Sequence, residues 1–172
     1  MLRNLGDKFL FGALLLLVLQ VPILADHYGQ FISGYFDATK HQVEGFEATA
    51  AAHQFADVNS MIDVHLKNPE ASVRTDAAQK LQTLQEYETL KTAVQIFAQG
   101  NIFEKAFYMF KPSGWKMLRS VLPNFKPGIP LSVEYFIYAF FIAWLLGAAI
   151  MALPRLICRK TRLIASRKVK VA

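Results

Sequence analysis

The stretch Tyr135–Cys158, YFIYAFFIAWLLGAAIMALPRLIC, is 24 residues long and holds one charge, Arg155, near its end. As a helix rising about 1.5 Å per residue it is long enough to cross the roughly 30 Å of hydrocarbon in a bilayer. Each Leu, Ile or Phe near the centre of such a helix favours insertion by roughly 0.3–0.6 kcal/mol. Tyr135 and Tyr138 supply interfacial aromatics at one end, and Trp144 adds a third. Gly147, Ala148, Ala149 and Ala152 form a small-residue patch against which another helix can pack closely. The stretch reads as a transmembrane helix with a docking face.

Working outward, a second apolar run lies near the other end of the chain. Phe9–Ala25, FLFGALLLLVLQVPILA, has 17 residues, the short end of what spans a bilayer, with Arg3 and Lys8 before it and His27-Tyr28 after it. Pro22 has no backbone N–H to donate, so a kink or an early end is expected there. Gln20 either bonds across to the second membrane helix or sits near the interface, the latter being the plainer reading. A cleavable signal peptide ending at Ile23-Leu24-Ala25 is the rival. The run is longer than a usual signal core, so retention is expected.

These two runs account for most of the 53% hydrophobic content and for the mean hydropathy of +0.26. The net charge of +6 is equally uneven. Seven bases and no acid occupy residues 155–172, whereas residues 26–132 carry 11 acids and 10 bases. A basic stretch directly after an apolar run is a topology signal, so no nucleic-acid partner is expected. The positive-inside rule puts both termini in the cytoplasm. The expected division is a cytoplasmic N-terminus over 1–8, a first transmembrane helix over 9–27, a periplasmic helical domain over 28–132, a second transmembrane helix over 133–158 and a basic cytoplasmic tail over 159–172. The location is then a bacterial inner membrane, crossed twice. Cys158 is the one cysteine, so no intrachain disulfide can form.

Between the runs, apolar residues recur at helical intervals from Tyr28 to Leu66 and again from Val73 to Gln99. Asn68-Pro69 breaks the chain between them, with Ser72 or Asn68 available as a cap. A connection that short favours an antiparallel helical hairpin. Gly100-Asn101 ends the second helix, Lys111–Gly114 makes a turn, and Pro123, Pro127 and Pro130 mark an extended return to the membrane. No useful stretch alternates with period two. The fold class expected is therefore all-α, two transmembrane helices flanking an antiparallel helical hairpin domain. Ile102–Phe110 and Trp115–Leu122 are short, aromatic and basic, suited to lying at a bilayer surface. Lys111, Lys116, Arg119 and Lys126, together with Arg159 and Lys160 of the tail, would then meet lipid headgroups.

The Gly-Tyr pair at the helix start, Phe46-Glu47-Ala48-Thr49-Ala50, Phe125-Lys126-Pro127-Gly128-Ile129-Pro130-Leu131-Ser132-Val133-Glu134 and Trp144-Leu145-Leu146-Gly147 together carry a resemblance. The pattern resembles a bacterial inner-membrane family of unknown function, domain of unknown function 2937. The resemblance covers most of the chain and implies topology, not chemistry. The proline stretch has its own physical reading. Pro127 and Pro130 fix an extended approach, Ser132 is placed to cap the second membrane helix, and Glu134 suits the positive end of its first turn.

Candidate chemistry is thin. His41, His53 and His65 are spaced by twelve, about 18 Å along a helix, too far apart for one metal site. His53 and Asp57 have the i, i+4 spacing of a ligand pair but lack further ligands. Glu86 and Glu88 have no nucleophile beside them, and phosphate-loop, Gly-x-Ser-x-Gly and His-Glu-x-x-His motifs are absent. No enzyme activity and no cofactor are expected. The surplus of aromatics, 14 Phe in all, needs lipid, a hydrophobic ligand or a partner to cover it. The expected function is a non-catalytic accessory or scaffolding subunit of a larger integral-membrane complex, docked through Phe140, Trp144, Gly147 and Ala148, with anionic lipids at the basic tail. The alternative is a protein that binds lipid or another hydrophobic ligand.

Overall fold

A computed structural model describes residues 2–169 of the chain, and the side chains of residues 6–152. The fold is all-α, with no strand among the described residues: α1 Leu2–Val18, α2 Gln20–Ala52, α3 Val58–Leu66, α4 Ala71–Gln99, α5 Ile102–Phe110, α6 Pro112–Val121, a 3-10 turn Leu122–Asn124, and α7 Val133–Val169. Two helical runs, Gly6–Ala52 and Val133–Ala152, are long and apolar enough to cross a membrane. The chain divides into two compact units, Met1–Ile23 with Lys126–Ala172, and Leu24–Phe125.

In the first unit α1 packs against α7. Ala139 and Ala143, one turn apart on α7, are buried, and the Phe11 and Phe140 rings meet edge to face at 5.4 Å. The large side chains of α7 turn outward instead: Phe136, Ile137, Phe141, Trp144, Leu145 and Ile150 are all exposed. A helix apolar around most of its circumference suits a hydrocarbon surround. The expected kink falls at Leu19, which separates α1 from α2. Its cause is Pro22, whose missing N–H leaves the Val18 carbonyl without its helical donor and whose ring crowds that carbonyl.

The return segment from Phe125 to Ser132 has no regular secondary structure and starts from an extended Phe125. Gln20 grips it by the backbone: the Gly128 N–H donates to Gln20 Oε1 at 3.1 Å, and Gln20 Nε2 donates to the Gly128 carbonyl at 3.1 Å. The same Nε2 also donates to the Leu16 carbonyl at 2.8 Å. Gln20 therefore bonds not to α7 but to the segment that leads into it.

In the second unit the long helical stretch expected from Tyr28 to Leu66 is two helices. Gln54 has φ 60, the Phe55 N–H donates to the Ala50 carbonyl at 3.0 Å, and the Gln54 N–H to the Ala51 carbonyl at 3.2 Å. This is a Schellman turn with glutamine where glycine is usual. Asp57 then caps α3: its carboxylate accepts from the Ser60 N–H at 2.7 Å, and the Ser60 hydroxyl accepts from the Asp57 N–H at 3.0 Å. That N–H donation holds the Asp57 carboxyl below its ordinary pKa. Phe55, folded back by the turn, packs with Phe46, Leu66 and Leu84 around Ala50, Val58, Met61, Ile62 and Ala77.

The Asn68-Pro69 break lies between α3 and α4, but Glu70, not Ser72 or Asn68, takes the N-cap position. Asn68 Oδ1 instead accepts from the Glu70 N–H at 2.9 Å, and Arg74 donates to the Asn68 and Pro69 carbonyls. Along α2 and α4, Tyr28 meets Phe97 at 5.0 Å between ring centroids, Phe36 stacks on Tyr87 at 5.3 Å, and Lys80 lies over the Phe46 ring at 5.5 Å.

Asn101 does more than end α4. Its side chain accepts from the Phe103 and Glu104 N–H groups, while Glu104 accepts from the Asn101 N–H at 2.8 Å, a reciprocal capping box that starts α5. Pro112 opens α6 at its first position, where no N–H is needed. Gly114 sits so close to the end of α5 that a Cβ there would lie 2.0 Å from the Tyr108 carbonyl oxygen. The buried Tyr28 hydroxyl donates to the Gly114 carbonyl at 3.1 Å, tying α6 to α2.

Candidate functional site

Asp7, Lys8 and Phe11 come from α1, Trp144, Gly147, Ala148 and Met151 from α7, and together they line a groove of about 370 Å³. Helical periodicity explains the α7 side: positions 144, 147, 148 and 151 recur on one stripe. The stripe puts a flat floor, Gly147-Ala148, between a large ring and a flexible thioether. Lys8 and Asp7 stand at the chain-terminal end, where charged groups suit a membrane boundary. Gly147 is not needed for the α1–α7 contact. A Cβ added there would have Leu14 Cδ1 as its nearest neighbour, at an ordinary 3.8 Å. Gly147 is half-buried with Leu14 of α1 beside it, while Ala148 is exposed to the groove.

Three of the four residues expected to dock a partner, Trp144, Gly147 and Ala148, line this groove. Phe140 does not; its ring contacts Phe11 and Phe141. Asp7, Phe11 and Met151 carried no signal of a site, because what gathers them is the pairing of two helices more than a hundred residues apart in sequence. Ser132 immediately precedes α7 and its carbonyl accepts from the Phe136 N–H, Glu134 lies in the first turn, and Pro127 and Pro130 flank the segment held by Gln20.

Of the expected headgroup contacts, Lys111 places its ammonium 3.6 Å from the Tyr108 ring centroid, and Arg119 lies over Trp115 at 5.7 Å. Lys116 is exposed on α6. Arg159 and Lys160 lie outside the residues whose side chains are described. Burial raises the Tyr108 hydroxyl above its ordinary pKa, and the Lys111 ammonium over its ring makes a cation–π contact.

The histidines do not converge. His41 faces Glu44 at 3.2 Å on an exposed turn, and His65 stands edge to face with Phe55. The i, i+4 reading of His53 with Asp57 fails because α2 ends at Ala52, before both of them, and Asp57 serves as a cap. No group of three or more His, Cys, Asp or Glu able to hold a metal occurs among the described residues. A more polar hollow of about 550 Å³ lies in the second unit among Asp26, Gln30, Ser33, Phe97 and Lys105, with no histidine or cysteine in its lining.

A family model described as a protein of unknown function (DUF2937) matches residues 2–163. The chain belongs to that family. No curated protein matches it, and no solved structure does.

Proposed function

We propose that this member of the DUF2937 family is a non-catalytic accessory or scaffolding subunit of a larger inner-membrane complex. Both termini lie in the cytoplasm, and residues 28–132 form a periplasmic helical domain. Orientation is supported by the seven bases after the second apolar run and by Arg3 and Lys8 before the first. A hairpin of α2 and α4 is supported by the order of their contacts: positions 28, 36 and 46 of α2 meet 97, 87 and 80 of α4. The observation that carries the docking role is the groove between α1 and α7, walled by the exposed Trp144 and floored by the half-buried Gly147 and the exposed Ala148. Helices in a bilayer associate where small residues let backbones approach, because the hydrophobic effect gives them no net drive.

The test is purification from native membranes in mild detergent with mass spectrometry of protein and lipid. A stoichiometric integral-membrane partner is expected, lost in Ala148→Leu and in Ala148→Trp while each variant, altered at an exposed position, melts with the parent chain. A clean monomer carrying no partner sinks the reading. The same groove favours a second reading, in which its apolar walls hold a lipid or another hydrophobic ligand. Retention of one lipid species in place of a protein partner, and its loss in the same variants, selects that reading.

A further inference from the structure

The near-neutral charge of residues 26–132 conceals a partition. Residues 26–101 carry ten acids and five bases, net −5, while residues 102–125 carry one acid and four bases, net +3. The positive part is also where the second unit exposes its largest aromatic groups. Phe103, Phe107 and Phe110 are 56%, 75% and 52% exposed, at the i, i+4, i+7 spacing of one face of α5. Trp115 and Leu122, 40% and 42% exposed, continue the pattern through α6, with Arg119 between them and Lys116 beside them.

This face is rigid. Its opposite side is anchored by the buried Tyr108, Met109, Leu118 and Val121, by the Tyr28–Gly114 hydrogen bond and by the backbone contact at Gly114. Phenylalanines exposed to that degree are costly in water, and a fixed face cannot fold them away. Rings bordered by lysine and arginine match the layering of a bilayer surface, apolar below and anionic above. Only seven residues, Lys126–Ser132, separate this part of the chain from α7, a helix apolar enough to enter a bilayer.

We infer that α5, α6 and the 3-10 turn form a foot that lies on the surface of an anionic phospholipid bilayer, its phenylalanines and Trp115 among the acyl chains and Lys116 and Arg119 at the phosphates. The inference rests on the membrane-spanning reading above, and the two tryptophans of the chain separate them. Full-length Trp144→Phe, reporting from Trp115, and full-length Trp115→Phe, reporting from Trp144, are reconstituted into vesicles with brominated acyl chains. One set of vesicles is phosphatidylcholine alone and the other also contains phosphatidylglycerol.

Trp115 emission should shift to the blue and be quenched in the anionic vesicles, with both effects reduced in phosphatidylcholine and at high salt. Lys116→Glu with Arg119→Glu should weaken the association by about fivefold per charge removed. Trp144 should be quenched in every vesicle. Trp115 accessible to aqueous acrylamide and untouched by bromine, with Trp144 quenched, overturns the foot and leaves the spanning helices standing. That result would assign the face to a protein partner. Equal quenching of Trp115 in both vesicle types overturns the anionic preference, and an unquenched Trp144 overturns the spanning reading and the foot with it.

Discussion

The two compact units distribute the same residue types in opposite ways. In the first, alanines fill the α1–α7 seam and phenylalanine, tryptophan and leucine face outward. In the second, tyrosine, isoleucine, methionine and leucine are inside, and large rings reach the surface chiefly on α5 and α6. The contrast teaches that solvent decides which side of a helix is the core. Where hydrocarbon is the surround, apolar bulk gains nothing by being inside and small residues set the helix spacing. Where water is the surround, each large apolar side chain buried is worth about 1.5–3 kcal/mol.

Gly114 and Gly147 break the comparison most directly, since each is a glycine on a helix in one of the two units. Gly114→Ala should produce the largest effect. Its Cβ would meet the carbonyl oxygens of Tyr108 and Met109 at 2.0 Å and 3.0 Å, and neither is a flexible side chain. A loss of about 3 kcal/mol, the upper end for overpacking, is expected in thermal or denaturant unfolding of the full chain in detergent. Gly147→Ala should leave the unfolding midpoint unchanged or slightly raised. A Gly114→Ala protein that melts with the parent would show that α5 and α6 are not clamped at that point.

Gln20→Leu comes next and sharpens the comparison from the other side. Apolar bulk is harmless on the outside of the first unit, but this substitution removes a hydrogen-bonding partner from three backbone groups. The Gly128 N–H and carbonyl lose their bonds, and the helix break at Leu19 loses its bond to the Leu16 carbonyl. These bonds lie at the surface of the chain, and a hydrogen bond contributes about 0.5–1.5 kcal/mol net, so a drop of about 1.5 kcal/mol is expected in the same unfolding measurement. Gln20→Glu should rescue only the acceptor half. If Gln20→Leu is neutral, the return segment is solvated and the glutamine is not its clamp.

How much of this was legible in the sequence follows the range of each interaction. The two apolar runs, the break at Asn68-Pro69 and the start of α7 after Ser132 were legible because each is written in neighbouring residues. The capping boxes at Asp57/Ser60 and Asn101/Glu104 were equally local but were passed over. The first fell inside an apolar period that continued on both sides of it, and the second was taken as a stop signal when it is also a start. The Gln20–Gly128 bonds span 108 residues and no pattern announces them. The groove is of the same kind. Gly147 and Ala148 stand out as small residues, but that α1 packs on Ala139 and Ala143, reaches Gly147 with Leu14 and leaves Ala148 exposed is a fact of pairing, invisible in either helix alone.

Gln54 gives the smallest expected effect. The turn between α2 and α3 was hidden because the residue in the left-handed conformation, φ 60, is a glutamine, and the usual glycine signal is missing. An L-residue in that conformation costs about 1 kcal/mol relative to glycine, and the Gln54 side chain is exposed. Gln54→Gly should therefore stabilise the second unit by up to about 1 kcal/mol, less the entropy that glycine adds to the unfolded chain. The gain should appear as a raised unfolding midpoint with hydrogen-exchange protection increased at Phe55 and Ala56. Gly114 and Gln54 then make a matched pair within one unit: a glycine that alanine cannot replace, and a non-glycine that glycine improves. A lowered midpoint in Gln54→Gly would mean that the chain leaves the Schellman turn in solution, and that Phe55 is held in its cluster by α4 and not by the turn.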